Sequence, residues 1–487
     1  MTALHHVDPT DLDAVRRAVG LNDPSSPLGE IGIRRIVIGP DALDELPQLV
    51  DGVRQPGSIA LVVDDTPMRR GPDDLKSLVT SRLGAIDPDT GVNVVRLGSG
   101  QGGLHADAAA IAQVVAGSAG AGCVVALGSG TVCDIAKEAS RALGAPFVVV
   151  QTANSVNAFS DDMAVLLING VKRTMPSRWP DVLVIDLTVL ADAPAALNRA
   201  GVGELAAMFT APADWRLAEA FGMDSSWDRR IVDLFRDGAA ALLLAAPEAT
   251  SGDVAAQRTL AELMTLSGLA LGIAGRTSPI SGTEHTVSHL LDMAAAGNGR
   301  PAGLHGAQVG VAALAVAVAW ERLLATFDPG VLLTARPPAP AAMHERIVGA
   351  FRALDPSGAM AEECWSEYRR KLEHWNEARA GLPAVIERWP EIRADLASLL
   401  GRPAAIAGAL RSAGASATFA ALDPAVTREE AVWALFNGHL IRNRFTLADL
   451  AWFAGEWTAD RAAAAIDEAA AIARAAARPE PVPGAAS

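Results

Sequence analysis

The chain has 487 residues with a formal net charge of −15, and half of its residues are hydrophobic. A chain of this length can bury two or three cores, and its acidic balance lacks the basic surface that nucleic acid binding needs. Three cysteines, Cys123, Cys133 and Cys364, are too few and too widely separated for a disulfide framework or a zinc ribbon. We therefore expect a cytoplasmic protein whose partner is a small molecule rather than nucleic acid.

The apolar segments favour buried core helices over membrane spans. The N-terminal sequence is acidic and lacks the basic and apolar regions of a secretory signal. The longest apolar stretches, around residues 239–247 and 309–320, are shorter than the roughly 18 to 20 residues of a membrane span. We expect no membrane partner, and the apolar helical half is suited to the interface of a homo-oligomer, a dimer or larger.

Six short β-branched and apolar runs alternate with helix-like stretches in the first part of the chain. The predicted strands cover residues 35–39, 59–63, 92–95, 123–127, 147–150 and 182–185. Helical patterns lie between them, among others at residues 41–49 and 106–115. This alternation predicts an α/β domain over residues 34–192, with a parallel sheet and helices on both faces.

The strand pattern stops near residue 192, and alanine- and leucine-rich helical patterns follow. They predict an all-α domain over residues 193–477, in which Thr427 and Glu430 have the spacing of a capping box at a helix start. Residues 1–33 form an N-terminal extension, and the proline-containing tail at residues 478–487 is expected to be disordered.

A glycine-rich turn follows the predicted strand 123–127. Gly128, Ser129, Gly130 and Thr131 lead into a predicted helix, where free backbone N–H groups and the helix dipole favour an anion such as a cofactor phosphate. A tight turn without a ligand is the alternative, and residues 98–103 offer a second, weaker glycine-rich loop at the same sheet edge. Asp64, just after another strand, could accept hydrogen bonds from a ribose and would favour NAD over NADP, although ordinary turn chemistry also explains it.

Three of the nine histidines fall between residues 285 and 305. His285 and His289 are four residues apart, on one helix face, and His305 precedes a glycine. Two imidazoles and one carboxylate are a common ligand set for divalent first-row metals, and Glu204 is the best-placed acid. Without further context, an ordinary pair of histidines explains the pattern as well as a metal site does.

These segments belong to a longer series of motifs. In chain order they are residues 128–131 with Asp134 and Lys137, 152–153 with Ser155, 170–176, 184–186, 203–204 with 213–215, 281–285 with His289, 305–306 and 441–450. Together they resemble the superfamily that contains iron-dependent alcohol dehydrogenases, glycerol dehydrogenases, glycerol-1-phosphate dehydrogenases and dehydroquinate synthases. The similarity is greatest to the glycerol-1-phosphate dehydrogenase branch.

The resemblance implies a Rossmann-like NAD(P) domain, an all-α domain and an active-site cleft between them that holds one divalent metal, Zn or Fe. It assigns the metal ligands to Glu204, His285 and His305, and places His289 at the metal or just beyond its ligands. His289 and Asn157 are the candidate catalytic residues. The candidate residues for NAD or NADP are Asp64, Gly128, Ser129, Gly130, Thr131, Asp134, Thr152, Ser155 and Lys172, although Lys172 also fits an exposed strand edge.

Three residues depart from the pattern of the branch. Glu204 stands where most of its dehydrogenases have aspartate, as in dehydroquinate synthases, Met208 replaces a lysine and Asn157 replaces an aspartate. We expect a metal-dependent, NAD(P)-linked oxidoreductase that interconverts a small hydroxy compound and its carbonyl form. A polyol phosphate such as glycerol 1-phosphate is a candidate substrate. A sugar-phosphate cyclase similar to dehydroquinate synthase and a degenerate, non-catalytic nucleotide-binding homologue are the alternatives.

Overall fold

The computed structural model describes residues 7–89, 91–98, 103–246 and 252–476 of the chain. The predicted disordered tail at residues 478–487 lies outside the described residues, as does most of the glycine-rich loop at 98–103. The strands are β1 (Arg35–Gly39), β2 (Ser58–Asp64), β3 (Arg69–Arg70), β4 (Asp73–Asp74), β5 (Val92–Leu97), β6 (Ala121–Gly128), β7 (Phe147–Gln151), β8 (Met163–Ile168), β9 (Val171–Pro176) and β10 (Val182–Asp186).

Helices connect the strands and then continue alone. They are α1 (Leu12–Ala18), α2 (Leu46–Asp51), α3 (Leu75–Gly84), α4 (Ala108–Gly117), α5 (Gly130–Leu143), α6 (Leu187–Asp192), α7 (Ala195–Leu205), α8 (Ala211–Ala220), α9 (Arg229–Ala245), α10 (Val254–Ala274), α11 (Thr283–Gly297), α12 (His305–Thr326), α13 (Pro340–Phe351), α14 (Ala359–Ala378), α15 (Leu382–Glu387), α16 (Trp389–Leu399), α17 (Pro403–Ser412), α18 (Arg428–Asn437), α19 (Leu447–Phe453) and α20 (Ala459–Ala475). Short 3₁₀ segments lie at Ala42–Glu45, Ala206–Phe209, Pro329–Leu333, Arg379–Gly381, Phe419–Ala421 and Gly438–Leu440.

A parallel six-stranded sheet organises the first part of the chain. Its strand order is β1-β10-β7-β6-β2-β5, and these are the six strands predicted from the sequence. Strands of a sheet that is covered on both faces read as continuous apolar runs, which explains why the prediction succeeded. The expected fold class is thus confirmed: after β10 the described elements are helical.

Successive residues of β1 show how the sheet is covered. Val37 packs with residues of α2 and α3, whereas Ile36 and Ile38 belong to the larger core that includes α4, α5 and the helical half. Side chains alternate across a strand, so the two faces belong to two different cores. The predicted helix at 106–115 is α4, the one at 41–49 is a 3₁₀ turn followed by α2, and the predicted capping box at Thr427 starts α18.

Helix α12 is central to the helical half. By length and composition it could span a membrane, but 78% of its most apolar window is buried inside the protein. It packs against α7, α11, α17 and α20. The predicted core helix at residues 309–320 is therefore the middle of α12.

A hairpin beside the sheet was not predicted from the sequence. Strands β8 and β9 pair antiparallel around Asn169 and Gly170, which have φ of 50° and 75°. Asn-Gly favours this turn because both residues tolerate positive φ. Alternation along β9 then places Lys172 and Arg173 on opposite faces of the hairpin.

Helices α7 and α12 approach each other backbone to backbone. A Cβ on Gly203 would overlap the carbonyl oxygen of Gly306, and a Cβ on Gly306 would overlap the carbonyl oxygen of Ala200. Glycine is therefore required at both positions. The contact brings the C-terminal end of α7 to the N-terminal end of α12.

We expect Gly203→Ala to lower the free energy of unfolding by about 1 to 3 kcal/mol, because the added methyl group must push the two helices apart. The matched control is Gly349→Ala in α13, where a Cβ meets nothing within 4 Å. That control should raise the free energy of unfolding by up to about 1 kcal/mol through helix propensity. Urea denaturation followed by circular dichroism compares the two variants, and equal losses in both would contradict this account of the helix contact.

Candidate active site

Three helices bring together the acid and the histidines predicted as metal ligands. Glu204 lies at the end of α7, His285 in the first turn of α11, and His305 is the first residue of α12. The Oε1 atom of Glu204 is 3.4 Å from Nε2 of His285, and its Oε2 atom is 3.7 Å from Nε2 of His305. One ligand atom from each residue lies within 4.8 Å of the others.

The donor atoms of this cluster suit a divalent metal. Glu204 is 2% exposed, and its Oε2 atom has no hydrogen-bond partner among the described residues. Carboxylate oxygens that face two imidazole nitrogens repel them unless a proton or a cation lies between. Two imidazoles with one carboxylate are typical ligands of Zn or Fe and leave positions open for a substrate oxygen.

The electrostatics of the cluster follow from burial and from mutual contact. Burial opposes the charge on Glu204, but His305 and His285 outweigh it and lower the pKa of the carboxyl group. Burial likewise opposes the charge on His285, but hydrogen bonding to Glu204 raises its pKa to about 9. Burial dominates at His305 and lowers its pKa to about 4. The ring of His305 is therefore neutral near neutral pH.

Outer partners orient the rings of His285 and His305. Nδ1 of His285 is 2.9 Å from a carboxylate oxygen of Glu284, which can only accept a hydrogen bond. Nδ1 of His305 is 2.8 Å from the hydroxyl of Ser288, which itself donates to Gln308 and so accepts from the ring. Each Nδ1 therefore carries a hydrogen, and each Nε2 is directed at Glu204. The Nε2 lone pair of His305 is free, whereas His285 would give up its Nε2 hydrogen when it ligates a metal.

His289 has the opposite arrangement. A guanidinium N–H of Arg442 donates to its Nδ1 at 3.2 Å, and arginine cannot accept a hydrogen bond. The neutral ring of His289 therefore carries its hydrogen on Nε2. Burial and the charge of Arg442 lower the pKa of His289 well below its ordinary value, which keeps the ring neutral. His289 also lies outside the three-residue group that could hold a metal.

The first turn of α11 is fixed by buried acids. Glu284 accepts a hydrogen bond from the hydroxyl of Thr210, and the carboxylate of Asp214 accepts from the backbone and hydroxyl of Thr283. The second oxygen of Asp214 accepts from the backbone N–H of Leu447, at the start of α19. One carboxylate thus joins two helix N-termini behind the histidine cluster.

The glycine-rich turn lies where the sequence predicts it. Strand β6 ends at Gly128, and α5 begins at Gly130. A Cβ on Gly130 would come within 2.7 Å of the side chain of Val156, and one on Gly128 would overlap Val132. The turn therefore keeps its backbone close to neighbouring elements and presents the free N–H groups of a 14-residue helix.

A single cavity of about 670 Å³ joins this turn to the histidine cluster and is called the main cavity below. Its lining includes the following predicted site residues: Ser129, Gly130, Thr131, Asp134, Ser155, Asn157, Lys172, Glu204, His285, His289 and His305. A volume of this size is typical of small-molecule and cofactor sites.

Three predicted residues do not line the main cavity. Asp64 ends β2, where its carboxylate accepts from the backbone and hydroxyl of Thr66, as the alternative of ordinary turn chemistry predicts. Thr152 is buried just after β7, and Gly128 lies behind the turn.

Lys172 points toward the histidines rather than only to solvent, and its amine is 2.5 Å from Asp292 on α11.

Sequence reasoning assigned no role to several residues that shape the site. Glu284 and Arg442 lie inside quoted motifs, but their partners are set by the fold. Lys137 is fully buried and binds the carboxylate of Asp161 at 2.6 Å together with the carbonyl oxygen of Met163, which fixes the loop after Asn157. A lysine in the helix after a glycine-rich turn is a visible signal, but its acceptors are not.

We expect Asp214→Ala to destabilise the fold, because the buried N–H groups of Thr283 and Leu447 lose their acceptor, at about 1 to 3 kcal/mol each. The control is Asp107→Ala, which removes the cap of α4 from a single N–H. It should cost about 1 kcal/mol. Urea denaturation measures both, and a loss at Asp214 no larger than that at Asp107 would contradict the bridging role.

Comparisons with known proteins agree with this architecture. Residues 37–194 match the family model of iron-containing alcohol dehydrogenases. The glycerol-1-phosphate dehydrogenase [NAD(P)+] of Halalkalibacterium halodurans is 32% identical over 219 residues, which cover 45% of this chain and 55% of that relative. The enzyme of the same name from Aeropyrum pernix is 30% identical over 300 residues, covering 60% of this chain and 80% of the relative.

Among solved structures, a probable glycerol dehydrogenase from Sinorhizobium meliloti superimposes with a TM-score of 0.57 at 17% identity. The superposition covers 91% of this chain and 98% of that structure, so the fold is shared over nearly the whole length. The match of the sheet domain to the family model and the Aeropyrum pernix relative together place the chain by sequence as well. The chain belongs to the iron-containing alcohol dehydrogenase family.

Proposed function

We propose that this protein is a metal-dependent, NAD(P)-linked oxidoreductase that interconverts a small hydroxy compound and its carbonyl form. The observation that carries the proposal is the main cavity. An anion-binding helix N-terminus lies at one part of its wall and a cluster of one carboxylate and two imidazoles at another. Hydride transfer needs a cofactor and a polarised carbon–oxygen bond in one enclosed space.

Glu204, His285 and His305 would hold the metal, Zn or Fe. Bound there, a divalent ion would stabilise negative charge on the hydroxyl or carbonyl oxygen of the substrate. Glu284 and Ser288 keep the Nε2 lone pairs of the two histidines directed at the centre. The close approach of α7 and α12 sets the distance between Glu204 and His305.

The turn of Gly128, Ser129, Gly130 and Thr131 would cradle the cofactor pyrophosphate at the N-terminus of α5. Ser155 and Asp134 line the cavity beside it, and Oδ1 of Asp134 has no partner among the described residues. That oxygen is free to accept an amide or hydroxyl hydrogen of the cofactor. Thr152 and Asp64 lie outside the lining of this cavity, so their part in cofactor binding stays a prediction of the sequence. Asp64 would favour NAD over NADP if its carboxylate exchanges Thr66 for a ribose.

His289 would act as a hydrogen-bond donor to the reacting oxygen. His289 lines the main cavity, and its Nε2–H has no hydrogen-bond partner among the described residues, while Arg442 donates to its Nδ1. A fixed donor of this kind stabilises oxygen charge that develops during hydride transfer. Asn157 can orient a substrate hydroxyl with its amide. Lys172 lines the same cavity, where its amine forms an ion pair with Asp292.

For the substrate we propose a polyol phosphate such as glycerol 1-phosphate, after the names of the two relatives. A cytoplasmic location and a homo-oligomer stay predictions of the sequence. The three cysteines are buried and unpaired, which fits a reducing compartment.

Metal analysis of the purified protein tests the site. We expect about one metal per chain, loss of the metal in Glu204→Ala and His305→Ala, and retained NADH binding in both, because the glycine-rich turn is untouched. Glu284→Gln should weaken metal binding by about 10- to 100-fold, since it replaces the charged carboxylate behind His285 with a neutral amide.

The matched control is Glu362→Gln, which alters an exposed glutamate paired with His344 at 2.7 Å. It should leave the metal content unchanged. If the wild type stays metal-free after reconstitution with Zn or Fe, the oxidoreductase proposal fails. The hypothesis of a degenerate, non-catalytic nucleotide-binding homologue then replaces it.

Glu204 also favours a second candidate, a cyclase similar to dehydroquinate synthase, because glutamate is the residue of that enzyme type at this position. A cyclase uses NAD transiently and returns it unchanged, whereas a dehydrogenase accumulates NADH. We expect net NADH formation from NAD and glycerol 1-phosphate, followed by absorbance at 340 nm. Phosphate release from a sugar phosphate without net NADH would instead establish the cyclase.

A further inference from the structure

A second cavity, of about 470 Å³, adjoins the main cavity, and we call it the arginine-lined cavity. Met163, Thr174 and Thr277 line both cavities. Three acidic residues line it, against six arginine and lysine residues. The six are Arg173, Arg276, Arg370, Lys371, Arg442 and Arg444. In a protein with a net charge of −15, this is a local excess of positive charge.

Four of these six cations have their own carboxylate. The pairs are Arg173 with Glu363, Arg276 with Asp224, Arg370 with Glu367, and Lys371 with Asp449. Their charges are therefore neutralised within the protein. They shape the cavity wall without requiring a ligand.

Arg442 and Arg444 have no ion-pair partner in the part of the chain that the structure describes. Arg444 donates its hydrogen bonds to the neutral oxygens of Thr277 and Ser281. Arg442 makes one side-chain hydrogen bond among the described residues, to Nδ1 of His289. A guanidinium has five N–H donors, so most of those on Arg442 are available to a ligand.

The charge of Arg442 is poorly accommodated by the protein alone. Burial, together with the like charges of Arg173 and Arg444, lowers the pKa of its guanidinium to about 9. A partly buried cation without a counter-charge is unfavourable, and a bound anion would reduce that penalty.

We infer that the arginine-lined cavity binds a small oxyanion of the phosphate type, with Arg442 as its principal ligand and Arg444 beside it. The planar guanidinium matches the oxygens of phosphate, and neighbouring arginines can engage several oxygens of a tetrahedral anion at once. The oxyanion is either the phosphoryl end of the substrate or a separate inorganic ion. The assignment of the oxyanion to the phosphoryl end of the substrate rests on the proposed function. The binding of an oxyanion in this cavity does not.

Arg442 also links this anion to the main cavity. The same guanidinium that faces the arginine-lined cavity donates to His289, which lines the main cavity. An oxyanion on Arg442 therefore lies one residue away from the proposed hydrogen-bond donor. Binding should change the magnetic environment of the His289 ring even without turnover.

Isothermal titration of inorganic phosphate into the metal-loaded protein, in a phosphate-free buffer, tests the site. We expect one phosphate per chain and at least about tenfold weaker binding in Arg442→Met, which removes the unpaired guanidinium. The matched control is Arg276→Met, which removes an arginine of the same cavity that already has Asp224 as its partner. Its phosphate affinity should stay within about twofold of wild type.

A second measurement covers the case in which Arg442→Met fails to fold. Phosphate is titrated into wild-type protein labelled with ¹⁵N-histidine, with the His289 signals assigned by their loss in His289→Gln. We expect the His289 ring nitrogens to shift, with His344, on the exposed face of α13, unchanged. No phosphate binding, no shift at His289, or binding that is equal in wild type and Arg442→Met would overturn the inference.

Competition identifies the source of the oxyanion. If glycerol 1-phosphate displaces phosphate and glycerol does not, the cavity holds the phosphoryl end of the substrate. If glycerol 1-phosphate and phosphate bind together, the cavity holds a separate anion. Phosphate binding without NADH formation would uphold the anion site while contradicting the proposed dehydrogenase, so the two failures are distinguishable.

Discussion

The backbone contact between α7 and α12 is the constraint on which the candidate site depends. Gly203 precedes Glu204, and Gly306 follows His305, so the two glycines that allow the contact flank the two residues that it brings together. Protein interiors are packed too tightly to absorb even one methyl group without movement. The 3.7 Å separation of carboxylate and imidazole is therefore a property of the helix pair rather than of the two side chains.

The hydrogen bonds at Nδ1 then distinguish three otherwise similar histidines. His285 and His305 each donate from Nδ1 to an oxygen acceptor, whereas His289 accepts at Nδ1 from an arginine. Residue type alone makes all three potential ligands. The partners behind the rings make two of them suited to bind a metal and the third suited to donate to a substrate.

Much of the fold could be predicted from the sequence, because its signals are local. The six strands of the sheet are short apolar runs, and the glycine-rich turn follows one of them directly. Glu204 and His285 are 81 residues apart. The residues alone make Glu204 a candidate partner of the histidines, and the resemblance to a known superfamily assigns it to the same metal site. The β8–β9 hairpin has a local signal in Asn169 and Gly170, which both take positive φ at its turn.

The contacts that could not be predicted join distant segments through side-chain geometry. Arg442 and His289 are 153 residues apart, and nothing in either segment shows which nitrogen of the ring is occupied. Asp214 likewise links the starts of α11 and α19, and no local sequence pattern indicates this contact. Such contacts require the three-dimensional packing of the helices, since each depends on the angle at which two elements meet.

The β8–β9 hairpin accounts for the distribution of charge between the two cavities. Because a strand alternates its side chains, β9 presents Lys172 to the main cavity and Arg173 to the arginine-lined cavity. Each of these cations has a carboxylate partner, Asp292 for one and Glu363 for the other. Arg442 is different, because it lines the arginine-lined cavity and its side-chain hydrogen-bond partner among the described residues is the neutral ring of His289, which lines the main cavity. The hairpin thus contributes one cation to each of two adjoining polar spaces, and Arg442 links the arginine-lined cavity to His289 of the main cavity.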